Sequence, residues 1–272
     1  MNRKMGAMNK LIQGLIIEIA SIRLAIRCLI LPLTCLWSRF DRHLMWHLNE
    51  NAFGSARIGV YPTVNINTLT RIETKVHLAS LPGESYNVNL FELLVLAILA
   101  ARSHARQVFE FGTANGRTTR TLAMNALNAT VYSLNLPLEN DTGHKQNVPI
   151  GFEFHKTVES NRIVQLFGNS YLYDFQQYFG KCQLIFIDAD HSKEAVANDS
   201  NVALNLIDKQ SGIIIWHDAL RYGVQRALPQ LALNYGPIHL ISGTNLAILC
   251  FQFGKIVSPT DWNPDKIIQD LI

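Results

Sequence analysis

Residues Val108–Thr119 read VFEFGTANGRTT. An apolar strand carrying one acid, Glu110, runs into Gly112, and Gly116 follows where a helix opens. A strand that stops at a glycine and restarts as a helix begins a strand–helix–strand unit. Glycine lets the chain turn sharply and lets a ligand approach the backbone. Gly116 permits close packing at the helix start. A dinucleotide site would read GxGxxG and seat a pyrophosphate on the helix N-terminus. Here Thr113 stands at the second glycine position, the spacing is GxxxG, and no P-loop lysine–serine pair follows. An acid beside the loop suits a cationic or hydroxyl-rich ligand better than a diphosphate.

On either side of this stretch the pattern alternates. The periodicity predicts helices over Leu90–Ala101, Thr118–Leu127, Tyr171–Tyr178, Ser192–Ile207 and Val224–Leu233. It predicts strands over Gln107–Phe111, Thr130–Asn135, Arg162–Phe167, Gln183–Asp188, Gly212–Trp216, Ile238–Ser242 and Leu246–Gln252. The apolar run of Gln183–Asp188 fits a strand buried on both faces of a parallel sheet. Such alternation means a doubly wound α/β sheet. Ligands then bind outside the carboxyl ends of the strands, so the residues just after each strand carry the function.

The chain has 272 residues, 48% hydrophobic and 17% charged, enough for a sizeable core and too apolar for global disorder. The net charge of +3 gives no footprint for nucleic acid. Residues 1–50 hold seven Lys and Arg against three Asp and Glu, so the rest sums to −1. Mean hydropathy is +0.09, and the apolar excess centres on Leu11–Trp37. That run carries Glu18, Arg23, Arg27 and Pro32, and a spanning helix needs about 20 nearly uncharged residues. It reads as an amphipathic helix lying in a membrane interface, or packing on the body or a second subunit of a homo-oligomer. We therefore divide the chain into an extension, 1–60, and a catalytic-size domain, 61–272, and expect a cytoplasmic protein, with peripheral membrane contact through 11–37 on the first of the two readings. His43 and His47, at i, i+4 spacing with no acidic partner, read as a surface helix face. Cys28, Cys35, Cys182 and Cys250 are scattered and read as reduced, buried thiols.

Several motifs in order carry a resemblance. VFEFGTANGRTT, VYSLNLP (131–137), FGNSYLYDF (167–175), LIFIDADHSKE (184–194), IIIWHDA (213–219) and GTNLA (243–247) are together similar to class I S-adenosylmethionine-dependent methyltransferases. The match is closest to a bacterial branch that resembles small-molecule O-methyltransferases. The resemblance implies a Rossmann-like, mostly parallel sheet with an antiparallel last strand. It assigns Glu110, Gly112, Thr113, Ala114 and Gly116 to the methionine end of the cofactor, Asn135 to the ribose, and Asn169 and Ser170 to the adenine side, with Asp188 also facing the cofactor. The family usually has an acid where Asn135 stands, and often Asp where Asn169 stands. An amide replaces a two-acceptor carboxylate at each place, which weakens binding by about 1–2 kcal/mol.

A second constellation follows the next strands: Asp188, Asp190 and His191, then His217 and Asp218. Adjacent strand ends gather them around one mouth, where carboxylates can hold a hard cation. A sugar or phenol hydroxyl is a poor nucleophile until an ion or base lowers its pKa. The layout is similar to metal-dependent O-methyltransferases, which implies Asp188, His217 and Asp218 as ligands of Mg2+ or another divalent cation. His191 stands where the catechol type places its catalytic lysine. An imidazole at 217 points to a softer ion, or to a histidine base without metal. The blander alternative has Asp190 capping the next helix and His217 bonded to a loop. The expected activity is methylation of a sugar, phenol or lipid-linked hydroxyl. The alternative is an impaired, methyltransferase-like scaffold at a membrane surface.

Overall fold

The computed structural model describes residues 62–66, 73–79, 88–137, 139 and 148–266. The chain divides into two compact units, 1–56 and 57–272. The readings of 11–37, of His43 and His47, and of Cys28 and Cys35 lie outside the described residues. Among the described residues, no helix is long and apolar enough to cross a membrane.

The described elements are strand β1 (Thr63–Val64), helix α1 (Leu90–Arg102), β2 (Gln107–Phe111), α2 (Arg117–Asn125), β3 (Thr130–Asn135) and β4 (Ile163–Phe167). They continue as β5 (Leu184–Ile187), α3 (Lys193–Leu206), β6 (Ile213–Trp216), α4 (Tyr222–Tyr235), β7 (His239–Ile241), β8 (Ala247–Gln252) and β9 (Lys255–Val257). The sheet order is β1-β7-β8-β6-β5-β2-β3-β4, with β9 paired to β8. All pairs are parallel except those of β8, which runs antiparallel to β6, β7 and β9. This is a doubly wound α/β sheet, mostly parallel, with one strand running antiparallel to its neighbours.

Alternation along the central strands explains the layering, because successive side chains point to opposite faces. Phe109, Phe111, Ile185, Ile187, Ile214 and Trp216 face a core closed by α3 and α4. Val108, Leu184, Phe186, Ile213 and Ile215 face the other, closed by α1 and α2. Leu93, Leu96 and Leu99 of α1 are wholly buried there. The helix starts at Asn89, whose side chain accepts from Glu92 N while the Glu92 carboxylate accepts from Asn89 N. Such a reciprocal cap satisfies two otherwise orphaned donors.

Two readings change. No helix spans Tyr171–Tyr178; only Gln176–Tyr178 forms a 3-10 turn. The Asn169 side chain accepts from Tyr171 N, and the Asp174 side chain accepts from Gln176 N. Local side-chain bonds of this kind compete with helical ones. Strands β1 and β9, of two and three residues, were not anticipated. Strand β9 returns from β8 through Phe253 and Gly254, both at positive φ (51° and 76°), which is the twist a tight hairpin needs.

Candidate active site

Strand register brings the functional loops together. Phe111 pairs with Leu134 on one side and Ile187 on the other, and Ile187 pairs with Trp216. The next residues, Gly112, Asn135, Asp188 and His217, therefore emerge side by side at the carboxyl ends. Strand β2 is central, and the chain runs out through β3 and β4 before returning to β5. The β2–β5 boundary is thus where strand order reverses, the usual ligand crevice.

Gly112 has φ +93°, and a Cβ there would lie 2.2 Å from the Asp188 carbonyl oxygen. Only glycine fits where the two loops touch. Asn135 braces the turn: its Oδ1 accepts from Thr113 N at 3.0 Å and Ala114 N at 3.4 Å, and its Nδ2 donates to Leu136 O. The Thr113 hydroxyl meets Ser133 at 2.7 Å and receives Gln165 Nε2 at 3.0 Å. Glu110 lies beneath, 1% exposed, and accepts from the hydroxyls of Ser133 and Thr119. Burial pushes its carboxyl up to about 8 against those two hydrogen bonds, with Asp188 adding to the rise, so the group is neutral at pH 7. Gly116, at φ +84°, opens α2 with no side-chain cap, leaving the helix start suited to an anionic group.

Residues 150–154 lie against this loop, which no motif announced. Gly151 N donates to Ala114 O, Glu153 N donates to Asn115 O, and the Phe154 ring closes on Gly116. Asn169 is exposed, and Ser170 Oγ accepts from Asn198 Nδ2 of α3.

The second constellation converges as its strand-end positions require. His217 Nδ1 lies 3.0 Å from Asp188 Oδ1 and 3.6 Å from Asp218 Oδ1. His191 Nε2 lies 3.4 Å from Asp188 Oδ1 and 3.2 Å from Asp218 Oδ2, yet it is buried and completes no hydrogen bond. Asp218 sits at φ +50°, a left-handed conformation that Asp tolerates better than most, and Arg221 pairs with it at 3.2 Å. Asp190 stands apart, its side chain accepting from Ser192 N just before α3.

Glu92 is the member that sequence reasoning missed. Its Oε2 lies 3.2 Å from His217 Nε2, and its Oε1 accepts from Asn245 N at 2.7 Å. The NLFE pattern signals a capping box, but nothing in it shows that the capping carboxylate also reaches across the sheet. Burial alone would lower the His217 pKa, but Asp188, Glu92 and Asp218 outweigh it and hold the ring well above its ordinary value. Burial likewise works against ionised Asp188 and Glu92, and their histidine contacts reverse it, so both carboxyls fall below the usual range. With a carboxylate on each nitrogen, the site favours the charged form of His217 when no cation is bound.

The donor set of the cluster also fits a divalent cation. One donor atom each from Asp188, His191 and His217 lies within 4.8 Å of the others. The unpartnered buried Nε2 of His191 is a donor atom waiting for an electron-pair acceptor. Beside it opens a cavity of about 370 Å³ lined by His191, Lys193, Glu194, Tyr222, Gly223 and Arg226.

Residues 109–219 match a family model described as a methyltransferase domain. That stretch runs from β2 to the loop after β6 and holds the carboxyl ends of β2, β3, β5 and β6, while Glu92 and Asn245 lie outside it. Among solved structures, the chain is similar to the O-methyltransferase from Bacillus cereus in complex with SAH. Identity is 16% over 64% of this chain and 84% of that one, with a TM-score of 0.47. It is also similar to TomG, the O-methyltransferase from Streptomyces achromogenes involved in tomaymycin synthesis, in complex with SAM. There the identity is 13%, the coverage 61% and 82%, and the TM-score 0.47. No curated protein matches the sequence.

Proposed function

We propose that the protein transfers the methyl group of S-adenosylmethionine to a hydroxyl of a small molecule. The contact between the Gly112 turn and Asp188 carries this reading, because it sets the expected cofactor loop against the acid–histidine mouth. The Gly112–Gly116 backbone and the uncapped start of α2 would hold the methionine end of the cofactor. When bound, the cofactor would supply an electrophilic methyl group: the hydroxyl oxygen would form the new C–O bond as the C–S bond breaks onto sulfur, and the Asp188–His191–His217–Asp218 cluster would take the proton. A divalent cation held by these groups would make the hydroxyl more acidic. The cavity beside His191 is of a size for a sugar or phenol ring.

Calorimetric titration of the full chain with S-adenosylmethionine and S-adenosylhomocysteine tests the reading. Micromolar binding of both is expected, followed by methyl transfer from labelled cofactor to one of a panel of sugars and phenols. A folded sample that binds neither nucleoside overturns it. Binding without turnover on any acceptor favours the scaffold alternative, which Asn135 motivates because its amide oxygen braces the protein's own loop. Membrane attachment through residues 11–37 is tested by vesicle flotation of the full chain against a chain lacking residues 1–38.

A further inference from the structure

We propose that the acceptor carries an anionic group, a phosphate or a carboxylate, which the cavity beside His191 holds through Lys193, Tyr222 and Arg226 while the acceptor hydroxyl meets the mouth. The inference rests on the reading of that cavity as the place of the acceptor.

The cavity joins two kinds of chemistry. His191 belongs both to its lining and to the mouth, its Nε2 lying 3.4 Å from Asp188 Oδ1 and 3.2 Å from Asp218 Oδ2. Carboxylates accept hydrogen bonds and repel anions, so that side suits a hydroxyl. The helices that border the cavity bring mainly donors: Lys193 from the first turn of α3, and Tyr222 and Arg226 from α4. Glu194 is the one acid in the lining, so these helices supply more positive than negative charge.

Arg226 is held in place without a carboxylate. Its Nη1 donates to Tyr222 Oη at 2.8 Å, and its guanidinium lies 5.2 Å from the centre of the Tyr222 ring. Because Tyr222 Oη accepts that bond, its own O–H is left to donate. A guanidinium fixed over an aromatic ring keeps its other N–H groups in a planar fork, the shape that grips two oxygens of a carboxylate or phosphate. Lys193 pairs with no acid among the described residues. Other arginines are neutralised where they stand: Arg102 by Asp265, Arg120 by Glu159 and Arg221 by Asp218. Lys193 and Arg226 depart from that pattern, and both line the same cavity.

Gly223 makes the cavity continuous with the mouth. A Cβ there would lie 1.9 Å from the His191 carbonyl oxygen, so only glycine lets the start of α4 close on the His191 loop. A neutral sugar or phenol can use the mouth alone. An anionic one uses both sides, and the carboxylates of the mouth turn its anion toward the donors.

Full-length protein is titrated calorimetrically with phenol, para-hydroxybenzoate and para-hydroxyphenyl phosphate, and with glucose and its phosphate ester, alone and saturated with S-adenosylhomocysteine. In at least one series the anionic compound should bind at least about tenfold tighter than its neutral parent, and the preference should shrink as salt is raised. The carboxylate and phosphate arms show which anion is taken. Arg226→Gln and Lys193→Gln, both at exposed positions, each reduce the preference to less than about threefold and leave the affinity for the neutral compound unchanged. Equal binding of neutral and anionic compounds, no binding of any anionic compound at millimolar concentration, or a preference intact in both variants overturns the proposal. The nucleoside titration separates the two readings. Anion binding that Arg226→Gln abolishes, without nucleoside binding, removes the methyltransferase reading and leaves the anion site, while nucleoside binding without anion preference does the reverse.

Discussion

The two sides of the mouth are built on opposite principles. On the β2–β3 side, Glu110, Thr113, Ser133 and Asn135 are all buried, and their polar atoms bond to one another or to the local backbone. On the β5–β6 side, Asp188, His191, His217 and Asp218 stay partly open, between 10% and 23% exposed, with like charges packed together. The first side spends its polarity on holding a strained turn in shape. The second keeps its polarity facing outward, which is costly for folding and useful only if something binds there. Changes on the first side should therefore act on cofactor affinity and stability, and changes on the second on rate.

The sharpest test of that division is Asp188→Asn. It keeps size and shape but removes the carboxylate that both histidines approach, so turnover should fall about 1000-fold, within the range for lost proton-transfer chemistry. Affinity for S-adenosylhomocysteine should move less than tenfold. Turnover within threefold of wild type would erase the distinction between the sides. Gly112→Ala comes next. Its Cβ has no space against the Asp188 carbonyl, and its φ of +93° disfavours any side chain. Nucleoside affinity should drop about 100-fold, and unfolding in urea should show a loss of about 2–3 kcal/mol.

The contrast also marks what the sequence could disclose. Strands β2 and β3 are bounded as their periodicity predicts, because five or six alternating residues between turn signals leave little ambiguity. Strands β1 and β9 are too short to show a period. The four strand-end groups of the mouth were legible because parallel register sets the ends of neighbouring strands side by side. Glu92 was not, since it reaches His217 across 125 positions and from a helix whose pattern already explained it as a cap. The role of Asn135 was hidden differently: its position after β3 is readable, but the direction of its amide depends on the backbone of the loop it braces.

Glu110 sharpens the comparison through pH. Its carboxyl, raised to about 8 in the folded chain, sits near 4.5 when unfolded, so the folded state holds the extra proton between those values. Stability from this group is complete below about pH 4.5 and is lost as pH rises through 8. Glu110→Gln keeps the acceptor without the titration. Between pH 6 and pH 8 the wild type should lose about 2 kcal/mol relative to the variant in parallel urea melts. Parallel curves would mean that Glu110 is ionised, and the β2–β3 side would then be charged like its neighbour.

Asn135 gives the smallest effect and the finest discrimination. Asn135→Ala strips the acceptor from Thr113 N and Ala114 N, leaving two amides of the turn unpaired, and each such bond is worth about 1 kcal/mol. Nucleoside affinity should fall about tenfold with turnover within twofold, as befits a brace. Asn135→Asp then asks whether the side chain does more. A carboxylate still accepts from both amides but cannot donate to Leu136 O. If the residue serves only the loop, the Asp variant binds S-adenosylhomocysteine about as well as wild type. If it also reads the ribose, as the position implies, the second carboxylate oxygen tightens binding several-fold. Tighter binding would show that the inward-facing side of the mouth also touches ligand, so that the two sides differ in degree of exposure rather than in kind.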